Sequence, residues 1–385
     1  MVDIAVDSGL RELVSRARRT RGTPFASVYY DSSHTTEDAT KVLELTWREL
    51  ADDLRTQGAD PETITALEDA VWAAPYPVGP GGRGMIASGG QVLVDRALGE
   101  PPERSVARWS TLPYLVPLVA HAPPTVPHVV ATVDKIGAEV TGIDNSGEVA
   151  YRHPVLGSEH PVHEAGSNAG LPRRHDREHV QETVRQNIHL VADDITKVAD
   201  AVGAELIVLS GEVQGRRWLR DALPDRLHDQ IVDVGDGGRI QAEYGDALEQ
   251  EVNTLVAERE RQRTAARADQ FRAELAQGVD GLGVQGLSSV CAALREANVA
   301  ALLIGADDDQ RVYTGADPIE LATDPEVLEE LGLSVVDQDR ADEALPLAAL
   351  AVGADLVVVG DEVALQDGFG VLRRYRGGSH ADRGA

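Results

Sequence analysis

Apolar positions along the chain switch repeatedly between helical and strand periods, and those switches set out its organisation. From Ser8 to Arg19 they recur at helical spacing, Phe25 to Tyr30 reads as a strand, and Val42, Leu43, Leu45, Leu50 and Leu54 return to the helical period. After this α/β opening comes a breaker-rich stretch around Pro77, Gly79 and Pro80. Met85 to Ser88 and Gln91 to Val94 then flank Gly89-Gly90, the pattern of a β-hairpin. The run Pro123-Pro124-Thr125-Val126-Pro127 fits neither a helix interior nor a central strand and predicts a linker.

Beyond the linker, 129–134, 138–144 and 148–153 alternate as three strands of a meander with Gly or Asp-Asn-Ser-Gly turns. A polar interval from Leu156 to about Arg174 precedes a long helix carrying Val180, Val184, Ile188, Val191, Ile195 and Val198 on one side and ending at Gly203. The continuous apolar run 204–211 predicts a strand buried between helices. Leu248 to Arg272 mixes both charge signs and reads as an exposed helix. The rest alternates helix, strand, an acidic loop, two helices and two strands, the last over 370–375, which is a small αβα layer structure. The expected fold class is α/β in three domains. These are an α/β N-terminal domain over 1–125, a middle domain with a mixed sheet and a long helix over 126–255, and an αβα layered C-terminal domain over 256–385.

Length supports that division, because 385 residues exceed what one hydrophobic core usually organises. Lys plus Arg number 36 against 64 Asp plus Glu, a net charge of −28, which excludes a basic protein that coats nucleic acid. Screening confines each charge to roughly 8 Å, so a local arginine-rich tip remains compatible with that sum. Lysine occurs only at Lys41, Lys135 and Lys197, leaving arginine, whose fork suits phosphate, as nearly the sole cation; a GC-rich genome gives the same bias. The single Cys291 lies in an apolar helical context and reads as a buried structural thiol in a reducing compartment. No signal-like start and no long apolar run is present, so the chain reads as soluble and cytoplasmic, without membrane partners.

Gly89-Gly90-Gln91 is the tripeptide with which peptide release factors admit water to peptidyl-tRNA, but here it sits between two strands and reads as a hairpin turn. Six histidines fall between His153 and His189, and His160, His163, His175, His179 and His189 suggest a metal set; none lies in a zinc-binding helix motif, and solvated loop histidines are the plainer reading. The chemistry-bearing stretch is the glycine- and asparagine-containing loop 156–176, with Gly166, Asn168 and Gly170, which leads Arg173, Arg174, His175, Arg177 and His179 into a helix start. Small residues let backbone approach a ligand, arginines pair with phosphate oxygens, and a helix N-terminus adds partial positive charge. Asp176 and Glu178 dilute that charge, so a solvated charge run is the competing reading. Nucleotide-loop, hydrolase-elbow and paired-cysteine motifs are missing, and Asp307 to Asp309 lacks the spacing of a calcium loop. No cofactor, no metal and no catalytic residue are expected.

From Val129 onward the order of elements, the segments AVGAELIVLSGE and DQIVDVGDGG, and above all ANVAALLIG and the terminal DGFGVLRRY resemble the archaeal and eukaryotic class I release factor and Pelota family. The resemblance covers about two thirds of the chain. Where release factors carry Gly-Gly-Gln, this sequence has Gly166-Ser167-Asn168-Ala169-Gly170, and Gln91 lies in another domain. That departure is similar to the family's bacterial branch, the Balon-like ribosome-hibernation factors. The resemblance implies ribosome binding: the middle-domain loop would reach toward the peptidyl-transferase centre, the first domain toward the decoding centre, and the third toward the stalk base. It implies a monomer that occupies the A site of idle ribosomes under stress and contacts rRNA, with elongation factor Tu as accompanying GTPase, and no DNA partner. Peptidyl-tRNA release on stalled ribosomes, with Gln181 or Gln186 orienting water and His175 or His179 as base, is the alternative. A stress-linked binding protein that does not use ribosomes is a third reading.

Overall fold

The computed structural model describes residues 8–19, 23–34, 38–73, 81–133, 137–156, 174–235, 243–305, 309–360 and 363–376. The chain forms two compact units, one made of Met1–Pro123 together with Arg263–Ala385 and the other of Pro124–Gln262. The first break falls inside the proline run and the second inside a long helix.

The N-terminal segment runs α1 (Ser8–Arg19), β1 (Phe25–Asp31), α2 (Ala39–Thr56), α3 (Pro61–Ala73), β2 (Gly82–Ser88), β3 (Gln91–Leu98), β4 (Val106–Ser110) and α4 (Val116–Ala120). Its antiparallel sheet has the order β3-β2-β1-β4. The strand period of two sends Ala26, Val28 and Tyr30 to one face, against Trp47, Leu50, Leu54 and Leu67 of α2 and α3. Phe25 and Tyr29 face the other way, against Leu10, Leu13 and Val14 of α1. Both faces of β1 are covered, which is why its sequence lacks a polar alternation. Asp60 starts α3 by accepting from the backbone N–H and the hydroxyl of Thr63, both at 2.8 Å. β4 is an edge strand, and Gln57 caps it: the Gln57 amide donates to the Ala107 carbonyl at 2.9 Å and accepts from Trp109 N–H at 2.8 Å.

The middle segment contains β5 (His128–Val133), β6 (Gly137–Ile143), β7 (Val149–Leu156), α5 (Arg174–Val202), β8 (Leu206–Gly211), α6 (Val213–Ala222), β9 (Ile231–Asp233) and the start of α7 (Glu243–Ala276). The sheet order is β7-β6-β5-β8-β9, with an antiparallel meander over β5 to β7 and parallel pairing of β5 with β8 and β8 with β9. This is the mixed sheet with a long helix that the sequence predicts. Ile188, Val191, Ile195 and Val198 of α5 pack with Leu219 of α6 against Val129, Ala131 and Leu209. On the opposite face Val252 and Val256 of α7 meet Val208 and Val234.

The C-terminal segment continues through the second half of α7, then β10 (Gly283–Gln285), α8 (Leu287–Arg295), β11 (Ala301–Ile304), β12 (Arg311–Thr314), β13 (Leu321–Ala322), α9 (Pro325–Glu330), β14 (Asp337–Arg340), α10 (Ala341–Ala351), β15 (Asp355–Val358) and β16 (Phe369–Leu372). Its main sheet, β10-β16-β11-β15, lies between helices, giving the expected αβα layers. A smaller sheet, β13-β12-β14, occupies part of the region that reads as an acidic loop, because strands of two to four residues give too few alternations to register as a pattern. The helix α7 is also less exposed than its charge pattern predicts. Arg261 and Arg272 do pair with Glu258 and Asp269 one turn away, but Ala268 and Phe271 are buried against Leu303 and Val357. Within this unit Leu13, Tyr29, Leu115 and Leu118 from the N-terminal segment share one continuous core with Val290, Leu302, Leu345 and Phe369.

Candidate functional site

The loop predicted to carry chemistry springs from the β6–β7 hairpin and returns through α5. Asp144 closes the hairpin turn: its Oδ1 accepts from the backbone N–H of Ser146 at 2.8 Å and of Glu148 at 3.2 Å, and the Ser146 hydroxyl above all, aided by those backbone bonds, holds its carboxyl below the usual range. β7 is the edge strand of its sheet, where Pro154, which lacks an N–H, is tolerated. His153 of β7 ties that edge to α5 through a 2.9 Å contact between its Nε2 and Asp194 Oδ2.

Gly166, Asn168, Gly170 and Arg173 lie outside the described residues, as do His160 and His163. The helix α5 opens at Arg174, so Arg174, His175, Arg177 and His179 fall in its first two turns, where the sequence predicts a helix start. Their side chains are outside the described residues. Helical spacing puts Arg174 with Arg177, and His175 with His179, one turn apart along α5. The first N–H groups of any helix lack partners within it, so a helix start combined with arginines is suited to an anion. Gln181 and Gln186 both belong to α5, beyond that opening, and His189 is an exposed residue further along it.

The Gly-Gly-Gln tripeptide of the N-terminal segment is a structural turn. Gly89 and Gly90 have φ of +57° and +72°, the two left-handed positions of a tight hairpin between β2 and β3. Gly90 N–H donates to the Thr63 hydroxyl at 2.9 Å, while Arg16 donates to the Gln91 side-chain carbonyl at 3.1 Å and to the Ser88 backbone carbonyl at 3.0 Å. The tripeptide is clamped from two elements, the opposite of a mobile loop that delivers water.

Other reactive groups are sequestered. Cys291 is fully buried, as expected of a structural thiol, and burial pushes it up to about 12. Among the described residues no group of three or more His, Cys, Asp or Glu is arranged to hold a metal ion. Asp309 pairs with Arg340.

Sequence reading misses a charged network inside the first unit. Arg108 of β4 donates to Asp342 at 2.8 Å and to Glu343 at 3.3 Å at the start of α10, and its guanidinium lies 3.4 Å from the centre of the Tyr114 ring. The Ser110 hydroxyl donates to Glu343, and Thr111 and Thr314 both donate to Asp339. Burial raises the Glu343 carboxyl above its ordinary value, with Asp342 adding to the rise and Ser110 and Arg108 opposing it. A cavity of about 460 Å3 opens beside the network, lined by Gln57, Trp109, Arg311, Asp337, Gln338 and Arg340 among others. Arg108, Ser110 and Thr111 lie more than two hundred positions from Asp339, Asp342 and Glu343, so local spacing carries no signal of the network.

Over residues 127–277 the chain matches the model of bacterial archaeo-eukaryotic release factor family 2. It is 40% identical over 366 residues to two Mycobacterium tuberculosis proteins, Rv2629 of strain ATCC 25618 / H37Rv and MT2704 of strain CDC 1551 / Oshkosh, covering 93% of this chain and 96% of each relative. Solved structures similar to it include the archaeal translation termination factor aRF1 (16% identity, 95% of this chain and 97% of that one, TM-score 0.24). A model of ribosome-bound archaeal Pelota and ABCE1 is another (14% identity, 95% and 94% of the two chains, TM-score 0.39). Saccharomyces cerevisiae Dom34, a translation termination-like factor interacting with Hbs1, is a third (10% identity, 78% and 74%, TM-score 0.37). The sequence match centres on the unit with the meander and the long helix, and the chain is a bacterial archaeo-eukaryotic release factor-like protein.

Proposed function

We propose that this chain is a ribosome-binding translation-factor homologue that occupies the A site of idle ribosomes as a hibernation and stress factor, and is not a peptidyl-tRNA hydrolase. The observation that carries this reading is a family member without the release tripeptide where the resemblance requires it. Residues 157–173 contain no Gly-Gly-Gln, and the one at 89–91 is a clamped hairpin turn. In this reading the three domains 1–125, 126–255 and 256–385 act as in the wider family, in the cytoplasm and as a monomer. Gly166, Asn168, Gly170, Arg173, Arg174, His175, Arg177 and His179 contact rRNA. Elongation factor Tu accompanies the chain, by analogy with relatives that work beside a GTPase. The negative body limits nonspecific adhesion to RNA, and an arginine-tipped loop then sets the contact.

Sedimentation with vacant ribosomes over a salt series tests this, with and without elongation factor Tu. The chain is expected to pellet with ribosomes, and a variant carrying Arg173→Glu, Arg174→Glu and Arg177→Glu to bind more weakly with a shallower salt dependence. Wild-type protein that stays in the supernatant in every condition would sink the reading. Turnover of ribosomes loaded with peptidyl-tRNA that vanishes in His175→Ala would replace it with the rescue alternative.

A further inference from the structure

Arginine is the usual cation of this chain, and along the described surface many arginines meet a carboxylate. Arg55 sits on Asp52, Arg83 on Asp95, Arg226 on Asp200 and Arg272 on Asp269. The residues that follow β16 depart from that habit. Arg373, Arg374, Tyr375 and Arg376 run on from Leu372 with no acidic residue among them, and none of the three guanidinium groups meets a carboxylate among the described residues. Arg373 donates to the Gly281 carbonyl at 2.6 Å. Arg374 donates to the carbonyls of Val352 and Gly353 at 2.9 and 2.8 Å, just past the end of α10. Arg376 is exposed. Bonds to neutral carbonyls fix the first two side chains and leave their charge uncompensated, in a protein whose net charge is −28.

Tyr375 is held as firmly. Its backbone N–H donates to Asn298 Oδ1 and its carbonyl accepts from Asn298 Nδ2, each at 2.9 Å, while 73% of the residue stays exposed. An aromatic ring on a clamped backbone loses little freedom when a flat partner lies on it.

We propose that Arg373, Arg374, Tyr375 and Arg376 form an RNA-binding site for a single-stranded segment, with phosphates on the guanidinium groups and an unstacked base on the Tyr375 ring. Guanidinium matches phosphate in shape and charge. The ring discriminates among polyanions, because a duplex hides its base faces and an acidic peptide has no flat group to stack. Repulsion of polyanions by the rest of the surface concentrates binding on this patch. The site uses residues of a different unit from the 166–179 loop and stands apart from the ribosomal reading.

The test is fluorescence anisotropy of the full chain with a short fluorescein-labelled oligouridine over a salt series, with unlabelled RNA duplex and polyglutamate as competitors. Oligouridine is expected to bind, duplex and polyglutamate to compete poorly, and Tyr375→Ala to weaken binding about five-fold or more, the lower end of base–aromatic stacking. Arg376→Glu should weaken it and lower the log–log salt slope by about 0.7, the share of one single-strand phosphate contact. Neither side chain packs in a core, so both variants should keep the wild-type melting curve, which is recorded beside them. Absence of oligouridine binding, affinities unchanged in both variants, or stronger competition by polyglutamate or duplex would each overturn the site. So would binding lost in the Arg173, Arg174 and Arg177 variant but kept in Tyr375→Ala. Failure of the chain to pellet with ribosomes leaves these outcomes unaffected.

Discussion

Arg108 holds two neighbouring carboxylates that are almost fully buried, Asp342 and Glu343, and is itself only 19% exposed. Removing one partner from such a cluster strands charge in a medium that solvates it poorly. Arg108→Ala is therefore expected to cost about 3–5 kcal/mol in urea unfolding at neutral pH. Glu343→Gln serves as the paired variant. Burial raises the Glu343 carboxyl in the folded chain, so the folded state keeps a proton there that the unfolded state has lost. Stability from this group is present in full below the ordinary carboxylate range and falls as pH climbs from that range through the raised folded value. The wild type minus Glu343→Gln difference in unfolding free energy should decline with rising pH over that window. A flat difference would show that Glu343 does not titrate as its burial demands. Local sequence could not reveal this network, since an arginine in a strand-like run and an Asp-Glu pair opening a helix each have ordinary readings alone.

At the scale of elements the sequence is far more legible, and the reason is period. The helices α1 and α5, the β2–β3 hairpin and the β5–β7 meander follow from apolar spacing and turn residues because each repeats its pattern over enough positions to register. β4, β12 and β13 are short, and their pairing is decided by partners elsewhere, so they leave no period to detect. The loop 156–176 was legible as a candidate because its composition changes abruptly, with small residues followed by arginines and histidines. Gly211 shows what period cannot specify. It ends β8 with φ of +100°, and a Cβ there would overlap the carbonyl oxygen of Val133 on the parallel neighbour β5. Both the backbone angle and the close approach demand glycine at this position. Gly211→Ala is expected to lower the stability of the second unit by about 2–3 kcal/mol, seen as a shift of its thermal transition. An unchanged melting profile would mean that β5 and β8 can separate at this end without loss.

The whole molecule is built on a discontinuous plan. Its first unit takes residues from both ends of the chain, while the second is a single stretch between Pro124 and Gln262. Proline composition marks one break, but the other lies within α7, whose helical pattern runs on without interruption. Each half of that helix serves a different core: Val252 and Val256 belong to the second unit, and Ala268 and Phe271 to the first. Leu13, Tyr29, Leu115 and Leu118 are buried in the core shared with Leu302, Leu345 and Phe369, so the N-terminal segment cannot complete its own interior. A chain ending at Gln262 should leave that apolar face open to water. In calorimetry it is expected to show one cooperative transition from the second unit, with the N-terminal segment binding a hydrophobic dye and aggregating as concentration rises. The excised segment 124–262 retains Val129, Ile195, Leu209, Leu219, Val252 and Val256, so both faces of its sheet stay covered. It should melt cooperatively at the temperature of that same transition. Two cooperative transitions in the chain ending at Gln262 would show that residues 1–123 fold independently, and the shared core would then be an interface between finished domains.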